Sequence, residues 1–207
     1  MNISMIQIIL ITLLAALKAF DYHCTQLCIF NSVFWGALAG LILGDLPTGL
    51  YVGGTLQLMS LGVVAIGGSS APDYPLAAIV ATAIAVSTGA GVEIGLTAGI
   101  AVGMLFVQMD IAAKLINGVI GRKAQAYCNA GNFDAMNRVI RLSVILMMLT
   151  SAIPTFLAVT LGSTVVSLIV DTLPVWFTTG LSVAGGLLPA VGLTMLMTYM
   201  PTAKYFA

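Results

Sequence analysis

The sequence predicts an all-α integral membrane protein, a polytopic helical bundle with re-entrant helical hairpins, and three observations lead there. Of 207 residues, 60% are hydrophobic and only 7% charged, with a mean hydropathy of +1.11, whereas a soluble domain carries about a quarter charged residues. Residues 22–44, 46–72, 74–92, 142–170 and 172–203 contain no Asp, Glu, Lys or Arg, and roughly 20 apolar residues suffice to cross the hydrocarbon core as a helix. Between residues 44 and 75, glycines at 44, 49, 53, 54, 62, 67 and 68 and prolines at 47, 72 and 75 interrupt the helical pattern. Apolar segments of about ten residues with period-two alternation, the mark of a membrane barrel, do not recur.

The elements follow in order. Residues 1–17, "MNISMIQIILITLLAAL", lack a basic leader before Lys18 and show no small-residue cleavage site, so they are expected to be a retained first helix. His23, Cys24 and Cys28 cluster after it, but a structural zinc site usually needs four ligands, and no metal or cofactor is expected. His23 is the sole histidine and is expected at a membrane interface.

In residues 44–75, Gly53-Gly54 and Gly67-Gly68 with Pro72 and Pro75 predict a hairpin that enters the membrane and returns. Broken helix is tolerated at membrane depth only where protein or a water-filled cavity covers it, and such breaks form substrate sites in many transporters. The tip is expected at residues 67–73, which have almost no side-chain bulk. Gly49, Gly53 and Gly62 are equally consistent with close helix packing. Thr55, Gln57, Ser60, Ser69, Ser70 and Asp73 supply neutral hydroxyl and amide groups and one carboxylate, an inventory that suits a polyhydroxylated ligand better than an ion. The Asp residues at 21, 45, 73, 110 and 171 border apolar runs and read mostly as helix-end markers.

Downstream, "STGAGVEIG" (87–95) predicts a second break and makes Glu93 a further candidate binding residue, as an ionisable group at membrane depth or in a short loop. Lys114, Arg122, Lys123, Arg138 and Arg141 fall within 114–141 beside a single acid, Asp134. The positive-inside rule places this loop, taken as 111–141, in the cytoplasm. It reads as two short amphipathic pieces broken at Gly131 and Asn132, and serves either as a topology signal alone or as a docking surface for a soluble partner. "LPVWFTTGLSVAGGLLPAVG" (173–192) echoes the first broken segment with Gly185-Gly186 and Pro189.

No catalytic constellation emerges: G-x-S-x-G, H-E-x-x-H and G-x-x-x-x-G-K are all missing from the sequence. Seven basic residues balance seven acidic ones, which gives no reason to expect a nucleic-acid partner.

"LGDLPTGLYVGGTLQLMSLGVVAIGG" followed by "APD", then "NAGNFDAMNR", then "LPVWFTTGLSVAGGLLPAVGLTMLMTYM" resemble the membrane C component of mannose-family sugar phosphotransferase systems. That group includes mannose, sorbose, fructose and N-acetylgalactosamine permeases, and the resemblance runs from about residue 3 to residue 207. It implies a single membrane-embedded IIC domain over 1–207 that binds a hexose, ketose or amino sugar. The partners it implies are a membrane IID subunit, cytoplasmic IIA and IIB components that carry the phosphate, the lipid bilayer of the bacterial inner membrane, and a higher oligomer of IIC–IID heterodimers. Phosphoryl chemistry then resides on the partners, and this chain has no catalytic residue. Gln57 stands where mannose members carry Glu, and Ala65 where they carry Asn, which implies a different sugar preference. "DYHCTQLCIFNSVFWGAL" looks closer to the sorbose or amino-sugar branches. Family members continue for one or two more apolar segments beyond the point corresponding to "PTAKYFA", so a shortened, non-transporting scaffold or receptor subunit is the alternative expectation.

Overall fold

The computed structural model describes residues 3–27, 31–61, 63, 72–89, 91–172 and 174–198. Among them run seven α-helices: α1 (Met5–Phe20), α2 (Ser32–Leu43), α3 (Leu46–Leu61), α4 (Tyr74–Thr88), α5 (Val92–Asn129), α6 (Phe133–Thr172) and α7 (Val175–Thr198). A five-residue π turn, Asp21–Thr25, extends α1.

Polar residues start most helices by satisfying the orphan N–H groups of the first turn. Ser4 and Gln7 form a reciprocal capping box on α1, and Asn31 accepts from the Phe34 N–H at the start of α2. Asp45 accepts from both the backbone N–H and the hydroxyl of Thr48, bonds that hold its carboxyl below the usual carboxylate range. Asp73 accepts from the Leu76 N–H, with Pro75 inside the first turn of α4, and Asn132 accepts from the Ala135 N–H. Asp45 and Asp73 are thus helix-end residues, as expected. Asp110 is not: it sits in mid-helix within α5.

Helix lengths divide the molecule. Four stretches are long and apolar enough to cross a membrane: Met5–Thr25, Val92–Asn129, Phe133–Val166 and Val175–Met195. By contrast α2, α3 and α4 have 12, 16 and 15 residues, roughly 18, 24 and 22 Å at 1.5 Å per residue, short of a core about 30 Å thick. The hairpin expected at 44–75 contains α3 and only the first two residues of α4, Tyr74 and Pro75. Of its expected tip at 67–73, residues 67–71 lie outside the described residues.

Two of the glycine pairs do not break helices, and Gly67-Gly68 lies outside the described residues. Gly53-Gly54 lies inside α3 and Gly185-Gly186 inside α7, both continuous; the expectation of breaks there is corrected by packing. A Cβ on Gly53 would lie 2.7 Å from the Ser32 carbonyl oxygen, and one on Gly36 2.7 Å from the Gly49 carbonyl oxygen. Helices α2 and α3 thus touch backbone to backbone, turning at Gly44 with φ +83°. Gly95, Gly99 and Gly103 bring α5 equally close to Ala85, Ala81 and Ala77 of α4. Because the bilayer supplies no hydrophobic drive between helices, such close contact is what holds them together.

Helix α4 is the hub. Every residue from Tyr74 to Ala85 is buried, and α4 packs against α1, α2, α3, α5 and α6. Two apolar clusters meet along it: Ile11, Trp35, Leu76, Ile79, Val80 and Ile84 on one side, and Val52, Leu56, Met59, Tyr74 and Leu96 on the other. Helix α7 crosses the outside, with Gly185 against the Glu93 backbone and Gly192 against Leu58 and Met59.

The stretch 111–141 is helical and breaks at Gly131 and Asn132 as expected, but its two pieces are not short ones. It consists of the ends of α5 and α6, joined by a turn at residues 130–132 in which Gly131 has φ +72°.

Candidate functional site

Two polar groupings interrupt the apolar interior. The first is on α3. Thr55 is buried, while Gln57 and Ser60 are half-buried. Gln57 Oε1 accepts from the Ser32 backbone N–H at 2.6 Å, so it caps α2 from across the hairpin. The Ser60 hydroxyl donates to the carbonyl of Gln57. Beside them the Ser32 hydroxyl is fully buried and has no hydrogen-bond partner, an arrangement that costs about 1–3 kcal/mol. Ser32 escaped sequence reasoning, since a lone serine among apolar residues carries no signal.

The second grouping is charged. Lys18, on α1, is only 3% exposed and its ammonium pairs with Oδ2 of Asp73 at the start of α4. On α5, Asp110 Oδ2 accepts from Lys114 at 2.6 Å, and Asp110 Oδ1 lies 3.7 Å from His23 Nε2. The Tyr22 ring sits between the two ammonium groups, 4.9 Å from Lys18 and 5.5 Å from Lys114, within reach of cation–π attraction. Thr150 and Ser151 of α6 complete the lining of a cavity of about 10 Å³, room for about one water. Buried ions in an apolar environment are costly unless paired, and here two cations face two carboxylates. The node fastens α1 to α4 through Lys18 and Asp73 and α1 to α5 through His23 and Asp110, with α6 lining its cavity.

The two groupings sort the expected site residues. Thr55, Gln57 and Ser60 share α3. Asp73 belongs to the charged node, with one oxygen on the Leu76 N–H and the other on Lys18, so it anchors α4. Glu93 is in the first turn of α5, after a break at Gly89 and Gly91 where the sequence predicts one; an acid there complements the helix dipole, and Gly185 of α7 packs on its backbone. Ser69 and Ser70 lie outside the described residues, as does Cys28. Sequence reasoning missed Lys18 and Asp110 as a buried network. The available signal was a lysine isolated inside an apolar helix, which must find an acid.

Comparison with known proteins follows the architecture. The family model "PTS system sorbose-specific iic component" matches residues 5–207. The sorbose-specific EIIC component of Lacticaseibacillus casei is 30% identical over 206 residues, covering 99% of this chain and 74% of that protein. The fructose permease IIC component of Bacillus subtilis is 28% identical over 197 residues, 95% of this chain and 73% of that protein. Among solved structures, one described as a membrane protein superposes with a TM-score of 0.82 at 26% identity, covering 99% of this chain and 85% of that one. The mannose transporter ManYZ in complex with microcin E492 gives a TM-score of 0.72 at 26% identity, covering 100% and 85%. This chain is a multi-pass membrane protein belonging to the family of sorbose-type IIC components of the phosphotransferase system.

Proposed function

We propose that this chain is the sugar-translocating IIC subunit of a mannose-family phosphotransferase system in the bacterial inner membrane. It works with a membrane IID subunit and receives phosphate chemistry from cytoplasmic IIA and IIB components. The observation that carries the reading is the match of residues 5–207 to IIC components. The fold supports it: α2, α3 and α4 are too short to cross alone and are wrapped by longer helices, the arrangement in which transporters build substrate sites.

The proposed contacts to sugar are Thr55, Gln57 and Ser60 on α3 and Glu93 at the start of α5, with Asp73 holding the start of α4 in place. Ser69 and Ser70 remain candidates from sequence. A sugar with about five hydroxyls loses about 1–3 kcal/mol for each one left unpaired on entry, so a set of hydroxyl and amide groups favours it over an ion. Phosphorylation by the partners then adds negative charge, which a site made of hydroxyls, an amide and the Glu93 carboxylate holds poorly.

The test is binding of radiolabelled hexoses, ketoses and N-acetylated amino sugars to the chain co-purified with its IID subunit. Gln57→Glu keeps an oxygen for the Ser32 N–H and replaces an amide donor with an acceptor, so the ranking of sugars is expected to change while the complex stays intact. Saturable binding indifferent to Gln57→Glu and to Thr55→Val would remove α3 from the site. A stable complex that binds no sugar would indicate a non-transporting scaffold.

A further inference from the structure

The α5–α6 hairpin carries cations that the fold leaves unused. Arg122, Lys123, Arg138 and Arg141 are all exposed, and among the described residues none of them takes part in an ion pair or a hydrogen bond. Four like charges kept close together without partners cost repulsion, so their common position calls for an explanation.

The hydrogen bond from the Ser143 hydroxyl to Asn117 Oδ1 sets the register between the two arms. In an antiparallel pair that bond places Arg122 level with Arg138 and puts Arg141 near the level of Val119. At 1.5 Å per residue the four cations occupy a band about 6 Å tall, starting about 3 Å beyond the Asn117–Ser143 bond. On the other side of that bond α6 becomes uncharged, since residues 142–170 contain no Asp, Glu, Lys or Arg, and the charges of α5 there, Lys114 and Asp110, pair with each other. The side chains around the bond are apolar and exposed: Ile116 is 53%, Val119 46% and Leu142 58% exposed. The band therefore lies where the apolar girdle ends. On α6, Asn137, Arg138 and Arg141 share one face and line an open groove with Ile140 and Asp134, which puts two guanidinium forks and an amide beside an apolar side chain. That combination matches a phosphate ester with an acyl chain below it.

We propose that this band binds the headgroup phosphates of anionic phospholipids and so fixes the depth of the α5–α6 hairpin in the bilayer. The level of the band separates this reading from capture of a soluble acidic protein, which needs cations on the hairpin tip; residues 124–137 beyond the band carry no cation and one acid, Asp134.

The experiment reconstitutes the chain with its IID subunit in vesicles of phosphatidylcholine containing phosphatidylglycerol and measures, by spin-labelled lipids, the preference of the protein surface for phosphatidylglycerol. The variant Arg122→Gln, Lys123→Gln, Arg138→Gln, Arg141→Gln is expected to lose most of that preference, up to about fivefold per charge removed. Arg138→Lys with Arg141→Lys keeps the charge and is expected to retain part of it, which separates lost charge from a fold defect. Inorganic phosphate, at constant ionic strength, is expected to leave the preference unchanged. An unchanged preference in the four-residue variant would overturn the proposal. So would displacement by phosphate, which would indicate a free-anion site, or loss of binding to a soluble IIB component with no change in lipid preference, which would indicate a protein dock.

Discussion

The short helices α2, α3 and α4, with the start of α5 that packs on them, and the far end of the α5–α6 hairpin use glycine in opposite ways. In the short unit, a Cβ on Gly36, Gly40, Gly49 or Gly53 would run into the backbone of the facing helix. On the hairpin, Gly118 and Gly121 have nothing within 4 Å of a Cβ placed there. The contrast shows that glycine content alone does not report a broken helix in a membrane protein. In one region it is an instrument of backbone contact, and in the other it costs helix stability without any packing return.

The largest effect should come from breaking the backbone contact. Gly49→Val would thrust a branched side chain against the Gly36 carbonyl and the Gly40 Cα, where neither neighbour has a side chain to move aside. Overpacking of this kind typically costs about 1–3 kcal/mol and sometimes more; the high end, about 3 kcal/mol, is expected here. Thermal unfolding of the detergent-solubilised protein measures it. A melting temperature equal to that of the parent would mean that α2 and α3 separate freely.

The charged node should give the next largest change. Lys18→Met leaves Asp73 without its cation inside the bundle, and removing one member of a buried pair costs about 3–5 kcal/mol. Asp73 is 21% exposed, so about 3 kcal/mol or slightly less is expected. Combining Lys18→Met with Asp73→Asn should recover most of the loss, since Asn still accepts from the Leu76 N–H. If the double variant is as unstable as the single one, the pair is not what joins α1 to α4.

These two regions also differ in how far the sequence alone discloses them. The charge-free runs reveal the class and most helices because spanning a membrane leaves a continuous apolar signature. Caps such as Asp45 and Asp73 are legible because they act on residues two or three positions away. The role of Gly53 is not, because the same residue suits a break or a close approach, and the choice rests on Ser32 and Val33 in another helix. Nor is the partner of Lys18, which lies 55 positions away. The basic residues of 114–141 announce a topology, while their alignment into one band needs the register between two helices. On α3, Thr55, Gln57 and Ser60 could be named from residue type, but the cap that Gln57 places on α2 could not.

A smaller effect of opposite sign tests the hairpin side of the contrast. Gly118→Ala, in open space on α5, should stabilise the protein by about 0.5–1 kcal/mol through helix propensity. The same substitution at Gly95, where a Cβ would lie 2.6 Å from that of Ala85, should destabilise it. Paired melting curves decide the matter, and equal shifts at the two sites, both on α5, would dissolve the distinction drawn between packed and open glycines.

The last prediction changes no stability and asks how the two regions face the membrane. Tyr22 and His23, at the end of α1, meet Lys114 and Asp110 of α5, so the end of α1 lies on the same side of the bundle as the root of the basic hairpin. Cys24 and Cys128 are both exposed, one beside that root and the other near the hairpin turn. With Cys28 replaced by Ser, a membrane-impermeant maleimide should label both from one side only. The positive-inside rule makes that side the cytoplasm, so everted vesicles should label and intact cells should not, with Cys128 reacting faster because it stands farther from the apolar girdle. Residue 5, about 22 Å along α1 from Phe20, is then directed to the opposite face. Labelling of the two cysteines from opposite sides would contradict the contact between α1 and α5 on which the charged node depends.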